Sequence, residues 1–163
     1  MLMATSAWAY NETDLLKFKV LNACEGCDLS EADLSGALLG LAKLSNAILT
    51  GEDPSGVKLL RAKLGGADLS GADLSGANLS NANLFDVNLN NADLSEANLR
   101  AALLTGANLT DAKLSGANLS DADLTGAYLA GADLTTTTLK NAKLDGAKYC
   151  KTKMPWGELN DDC

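Results

Sequence analysis

The stretch GADLSGADLSGANLSNANL, Gly66 to Leu84, writes nearly the same five residues four times. The leucine register extends far in both directions, because every fifth residue from Leu29 to Leu144 is leucine except Pro54. Two residues before each leucine stands a small residue, usually alanine. A repeat of fixed period is the sequence signature of a stacked repeat architecture, so this period takes precedence over any single predicted element.

A five-residue period fits neither a regular helix nor an ordinary strand, whose side chains repeat every 3.6 and 2 residues. Within one unit, alanine and leucine stand two apart, as in a short extended segment with both side chains on one face. The polar pairs that follow, such as Ser-Gly and Ser-Asn, favour turns. Each unit therefore predicts a short extended piece and a corner, with leucine directed inwards. The inward leucines include Leu34, Leu74, Leu94, Leu114 and Leu134.

The units ADLSG, ANLSN and AKLSG resemble the A(D/N)LXX motif of the pentapeptide repeat family. The resemblance covers about Cys27 to Tyr149. It implies an all-β solenoid, a right-handed quadrilateral β-helix, in which four units close one coil of twenty residues. Stacked at strand spacing, about 4.8 Å, such coils would place each leucine on the leucine one coil away.

The repeat is interrupted at Glu52 to Ser55, although the count of five is kept. Glu52 replaces the small residue and Pro54 replaces leucine, and burying a lone carboxylate is costly. We therefore expect residues 52–55 to bulge outwards, either as a tolerated defect or as a contact loop. The domain organisation expected is a tail and capping helix at 1–23, the β-helix at 24–149 and a C-terminal cap at 150–163.

Both ends of a solenoid expose the core and need caps. The sequence predicts a short N-terminal capping helix from about Glu12 to Leu21, with Asn11 as N-cap. At the other end, Pro155 and Trp156 predict an irregular lid. The apolar side chains expected over the first coil are Leu15, Leu16, Phe18 and Leu21.

The N-terminal stretch MLMATSAWAY contains Ala7-Trp8-Ala9, a pattern like the end of a secretory signal. Two interpretations stay open, because the charged and apolar segments of a complete signal have almost no room before it. Residues 1–9 are either the stub of a longer precursor or a frayed cytosolic terminus.

The four cysteines lie only at the two ends of the repeat. A zinc site at Cys24 and Cys27 would need two more ligands, and the chain has no histidine. A thioredoxin-like site would need a strand–helix context that is absent. We interpret the cysteines as two disulfides, Cys24–Cys27 and Cys150–Cys163, with reduced structural thiols as the alternative. Disulfides suit an oxidising compartment, and similar repeat proteins of photosynthetic bacteria imply the periplasm or thylakoid lumen. The cytoplasm is the alternative.

A twenty-residue coil stacks residues twenty apart into columns. The acidic column consists of Asp33, Asp53, Asp73, Asp93 and Asp133, interrupted by Lys113. It is either a face for a cation or basic partner, or a solvated row held by serine hydroxyls and backbone amides. Two further groups are an expected amide ladder at Asn78, Asn98 and Asn118, and the outward leucines Leu38, Leu41 and Leu60. These leucines are either ordinary scattered apolar residues or a small patch that marks an interface.

The chain has 163 residues, a net charge of −8 and no histidine. The missing histidine removes the commonest general base and zinc ligand, and we expect no enzyme activity, cofactor or metal. The acidity argues against binding a phosphate backbone, and no apolar run approaches a membrane span. We expect a monomeric, non-catalytic interaction module with an unknown protein partner. The alternative is an acidic DNA mimic that modulates a type II topoisomerase, as some members of the family do.

Overall fold

Backbone bridges between residues twenty apart link most of the described chain. The computed structural model describes residues 11–29, 43, 58–161 and 163. The regular elements are helix α1 (Glu12–Leu21) and strands β1 (Thr152–Met154) and β2 (Gly157–Leu159). Between them, parallel bridges repeat in four columns. These columns run from Lys58 to Thr138, from Ala23 to Lys143, from Asp68 to Lys148 and from Asp73 to Lys153.

Each bridge uses both backbone groups of a short extended segment. Leu94 donates its N–H to the carbonyl of Lys113 at 2.7 Å, and Asp93 donates its N–H to Ala72 in the preceding coil at 2.9 Å. Because four such segments recur in every twenty residues, each coil is bridged to its neighbours at four places.

The corners explain the polar half of the repeat. Ala97 donates its N–H to the carbonyl of Leu94 at 3.1 Å, which closes a four-residue turn. The third residue of that turn, Glu96, has a φ of 58°, a left-handed conformation that glycine and asparagine adopt most easily. The residue before leucine supports the turn, since Asp93 accepts the N–H of Ser95 at 3.0 Å. This bond is the physical reason that Asp or Asn so often precedes leucine.

The core is the stack of inward leucine and alanine side chains. Leu74, Leu94, Leu114 and Leu134 are completely buried, whereas Leu34 lies outside the described residues. Thr137 replaces alanine at an inward position, and its hydroxyl donates to the carbonyl of Leu114 at 2.6 Å. A buried hydroxyl is thereby satisfied without a second side chain.

Only part of the apolar surface of helix α1 packs on the first coil. Asn11 accepts the N–H of Thr13 at 3.0 Å as the N-cap, and Phe18 is buried with Leu15 packed against the core. The expectation for Leu16 and Leu21 is wrong, since they are 65% and 62% exposed. Leu16 lies about 100° around the helix from Leu15, on the side away from the coil.

The C-terminal cap is a hairpin, so the expectation of an irregular lid is wrong. Strands β1 and β2 pair antiparallel, and Lys153 is bridged to Asp133, so β1 is also the last segment of the coil stack. Thr152 and Met154 are buried at the inward positions. The bulge expected at Glu52 to Ser55 lies outside the described residues. Within the described ranges, no helix is long and apolar enough to cross a membrane.

Candidate functional site

The acidic column is a row of turn-capping side chains. Asp73 accepts the N–H of Ser75 at 3.0 Å and Asp133 accepts the N–H of Thr135 at 3.1 Å, as Asp93 does with Ser95. Each carboxylate therefore has a local structural role, as the solvated interpretation expects. Asp33 and Asp53 lie outside the described residues.

Lysines alternate with the aspartates in the upper part of this column. The Nζ of Lys113 lies 3.1 Å from an oxygen of Asp93, and that of Lys153 lies 3.5 Å from an oxygen of Asp133. Hydrogen bonds from Ser95, and then Lys113, lower the pKa of Asp93. The pKa of Asp133 is lowered in the same way by hydrogen bonds from Thr135 and the charge of Lys153. From Asp93 to Lys153 the column thus alternates in charge, and these pairs contribute little to stability because their lysines are exposed.

An amide ladder exists, but the prediction placed it in the wrong column. Asn88 donates its side-chain N–H to Asp68 at 2.9 Å, and Asn108 donates to Asn88 at 3.2 Å. Asn78, Asn98 and Asn118 instead accept backbone N–H groups of their own turns. Among the bonds of the described chain, none links those three amides to one another. Asp68 distinguishes the two columns, because its carboxylate gives the ladder a charged acceptor at its start.

Of the three leucines Leu38, Leu41 and Leu60, the structure describes only Leu60, which is exposed. Leu38 and Leu41 lie outside the described residues. Other large exposed apolar side chains are Phe85, Leu103, Tyr128 and Trp156. Trp156 lies in the turn between strands β1 and β2, whereas Phe85 and Leu103 lie on one face of adjacent coils, because Leu103 is bridged to Asn83. Single exposed apolar residues are common on protein surfaces.

Two shallow depressions flank Tyr128, and the sequence interpretation did not find them. Each has a volume of about 350 Å³. One extends from Tyr128 past Asn108 to Asp86, and the other lies beside Lys148. The signal in the sequence is a corner glycine, Gly106, which leaves one wall of the first depression without a side chain.

The structure joins the cysteines as two disulfides, Cys24–Cys27 and Cys150–Cys163, with Cα separations of 5.4 and 4.9 Å. Asp14 lies close enough to Cys24 and Cys27 for the three to form a group of potential metal ligands. Metal binding requires thiolates, and the disulfide bond leaves none at this position. The carboxylate of Asp14 instead accepts the N–H of Asp28 at 3.1 Å, which docks helix α1 on the first coil.

A family model described as pentapeptide repeats matches residues 24–53, 55–91, 82–121 and 117–148, with eight copies. A solved pentapeptide repeat protein from the cyanobacterium Cyanothece 51142 is 33% identical and covers 83% of this chain and 92% of its own, with a TM-score of 0.46. Another, from the thylakoid lumen of Arabidopsis thaliana, is 35% identical and covers 69% and 68%, with a TM-score of 0.47. QnrB1, a plasmid-mediated fluoroquinolone resistance protein, is 21% identical over 77% and 79%, with a TM-score of 0.40. No curated protein matches the chain.

Proposed function

Because the chain belongs to the pentapeptide repeat family, we propose that it is a monomeric, non-catalytic interaction module built on a right-handed quadrilateral β-helix. Its role is to present columns of side chains at fixed spacing to a protein partner. The partner binds one face of the rod, and the leucine core keeps that face rigid.

The observation that carries this proposal is the double anchoring of the surface side chains. Asn108, for example, is bridged through its backbone to Asn88 and Tyr128. Its side chain also accepts the N–H of Thr110 at 3.2 Å and donates to Asn88. A side chain fixed in this way before binding loses little conformational entropy in a complex. Such a surface is suited to recognition by shape and hydrogen bonding.

Site-specific photo-crosslinking tests the proposal. A photoreactive amino acid would replace one exposed residue on each face in turn: Leu103, Lys113, Tyr128 or Thr138. The full chain would be irradiated in its native compartment. A discrete adduct that forms from one face only supports an interaction face. No adduct from any face, or the same mixture from all four, would overturn the proposal.

We propose that the protein lies in an oxidising compartment, the periplasm or the thylakoid lumen, because it contains two disulfides. Structural disulfides persist there and are rare in the cytosol. Alkylation of intact cells with a maleimide, before any reductant is added, should leave Cys150 and Cys163 unmodified. Labelling of these cysteines in the native protein would instead support a cytoplasmic location.

The second candidate, a modulator of a type II topoisomerase, is favoured by one observation. Residues 66–136 carry nine acidic and two basic side chains. However, Lys113 interrupts the acidic column and Lys153 ends it, where they pair with Asp93 and Asp133, whereas a DNA backbone presents an unbroken row of charge. A supercoiling assay with purified gyrase separates the candidates. Inhibition at micromolar protein would replace the first proposal with this one.

A further inference from the structure

The first depression beside Tyr128 combines an exposed aromatic ring with a carboxylate. Tyr128 is 53% exposed and stands between Asn108 and Lys148 in its bridge column. The depression extends from its ring to Asp86, with a volume of about 350 Å³. An exposed ring beside a concave surface offers a flat platform on which a planar group can stack.

The backbone holds Asp86 at the wall of this depression. Asp86 occupies a corner position with a φ of 51°, and its N–H donates to the carbonyl of Thr105 at 3.0 Å. Its carboxylate lies over the Cα of Gly106, one coil further on, where a Cβ would overlap it. The glycine therefore makes room for the carboxylate and lowers the wall between Asp86 and Tyr128.

Among the described residues that line the depression, Asp86 is the only one with a charged side chain. The carboxylate of Asp86 has no hydrogen bond or ion pair to any residue that the structure describes, unlike Asp93, which both Ser95 and Lys113 engage. The amides of Asn88 and Asn108 each use their oxygen and one N–H in the ladder and in their own turns. The unpartnered charge in the depression is therefore an acceptor, which favours an incoming cation that donates hydrogen bonds.

We propose that this depression binds an arginine side chain from a basic segment of the partner protein. The guanidinium stacks on the ring of Tyr128 and donates hydrogen bonds to the carboxylate of Asp86. Guanidinium has five N–H donors and no acceptor, and it stacks on aromatic faces. The excess of acidic side chains over residues 66–136 attracts such a segment from a distance. This inference rests on the proposed function and specifies the chemistry of the partner.

The test uses the full oxidised chain and a fluorescein-labelled hexa-arginine peptide, with affinity measured by fluorescence anisotropy. Asp86→Asn and Tyr128→Ala should each weaken binding about tenfold, the usual scale for losing a charge-assisted hydrogen bond or a stacking platform. Asp86→Asn keeps a residue that tolerates positive φ. In NMR spectra of the isotopically labelled protein, the signals of the Tyr128 ring protons should shift when acetyl-argininamide is added.

Glu96→Gln is the matched control. Glu96 is a corner residue with a φ of 58°, and its carboxylate lies over Gly116 as that of Asp86 lies over Gly106. It stands ten residues further along, half a coil away from Asp86. This variant should change the affinity less than twofold. Equal weakening by Asp86→Asn and Glu96→Gln would show that net charge alone attracts the peptide and would overturn the inference.

Two further outcomes separate this inference from the proposed function. If maltose shifts the ring protons of Tyr128 and the arginine probes do not, the depression has a different ligand and the arginine site is refuted. If a photo-crosslinked adduct forms from another face while Tyr128→Ala binds the peptide normally, the interaction role stands and the site is again refuted. Circular dichroism melts of each variant check that the coils remain folded.

Discussion

Leu94→Ala is the sharpest test of the inward leucine stack. Leu94 is completely buried in a middle coil, and so are Leu74 and Leu114, the leucines one coil before and one coil after it. The substitution removes three carbon atoms from the interior and leaves the backbone and the outward side chains unchanged.

The expected loss follows from the burial and the bridges. Three buried carbon groups contribute about 0.8 kcal/mol each, or about 2.4 kcal/mol in all. The void left behind adds to this loss, because the coils cannot move together to fill it: Leu74 bonds to Asp93, and Leu94 to Lys113, both at 2.7 Å. The free energy of unfolding should therefore fall by about 3–5 kcal/mol, in the upper part of the range for leucine truncations.

The assay is urea denaturation followed by circular dichroism, with Ser95→Ala as the control. Ser95 is half-buried and directed outwards, and hydrogen bonding by its side chain lowers the pKa of Asp93. Losing one such bond should cost about 1 kcal/mol. If the two variants lost equal stability, or if Leu94→Ala lost less than its control, the inward assignment of the leucines would be refuted.

Three other substitutions test the corners and the caps. Ser95→Ala should raise the pKa of Asp93 towards that of an ordinary aspartate, because the side chain of Ser95 makes the largest contribution to lowering it; the backbone N–H of residue 95 still bonds to Asp93. Since the folded-state pKa lies below the unfolded value of about 3.9, the associated stabilisation is complete above that pH and is lost as the pH falls through the folded value. If an NMR titration found the same pKa for Asp93 in Ser95→Ala as in the wild type, Ser95 would not be the cause of the lowered pKa. Cys163→Ser opens a disulfide that spans 13 residues and should cost about 3 kcal/mol. Wild type and variant should have the same urea midpoint in reductant, and a persistent difference would assign the loss to something other than the disulfide. Gly126→Ala should cost about 1 kcal/mol in urea denaturation, because φ is 67° and no atom lies within 4 Å of the added Cβ. A neutral result would mean that this corner is not left-handed.

The features predicted well from the sequence are those decided by neighbouring residues. Helix α1 has the expected bounds, since its N-cap bond joins Asn11 to Thr13 within one turn. The twenty-residue spacing is present in the parallel bridges. The two disulfides form as interpreted, because each pair lies at one end of the repeat.

The errors concern contacts between distant residues. The amide ladder was expected in the wrong column, because its place is decided by side-chain contacts between coils, such as the bond from Asn88 to Asp68. The hairpin at Thr152–Leu159 formed because the last coil needed a pairing partner for its exposed edge. Gly106 is a local signal for the depression at Tyr128, but the depression also requires Asp86 to lie two coils before Tyr128, which local sequence does not indicate.

The sequence by itself determined the period, the inward position of leucine and the turn at every fifth residue. These follow from side-chain size, hydrophobic burial and backbone preference within a single unit. The tertiary structure alone decided which outward side chains pair across coils, which face of helix α1 packs, and where the surface is concave. Those outcomes depend on distances between residues twenty or more apart, and such distances are fixed only when the coils stack.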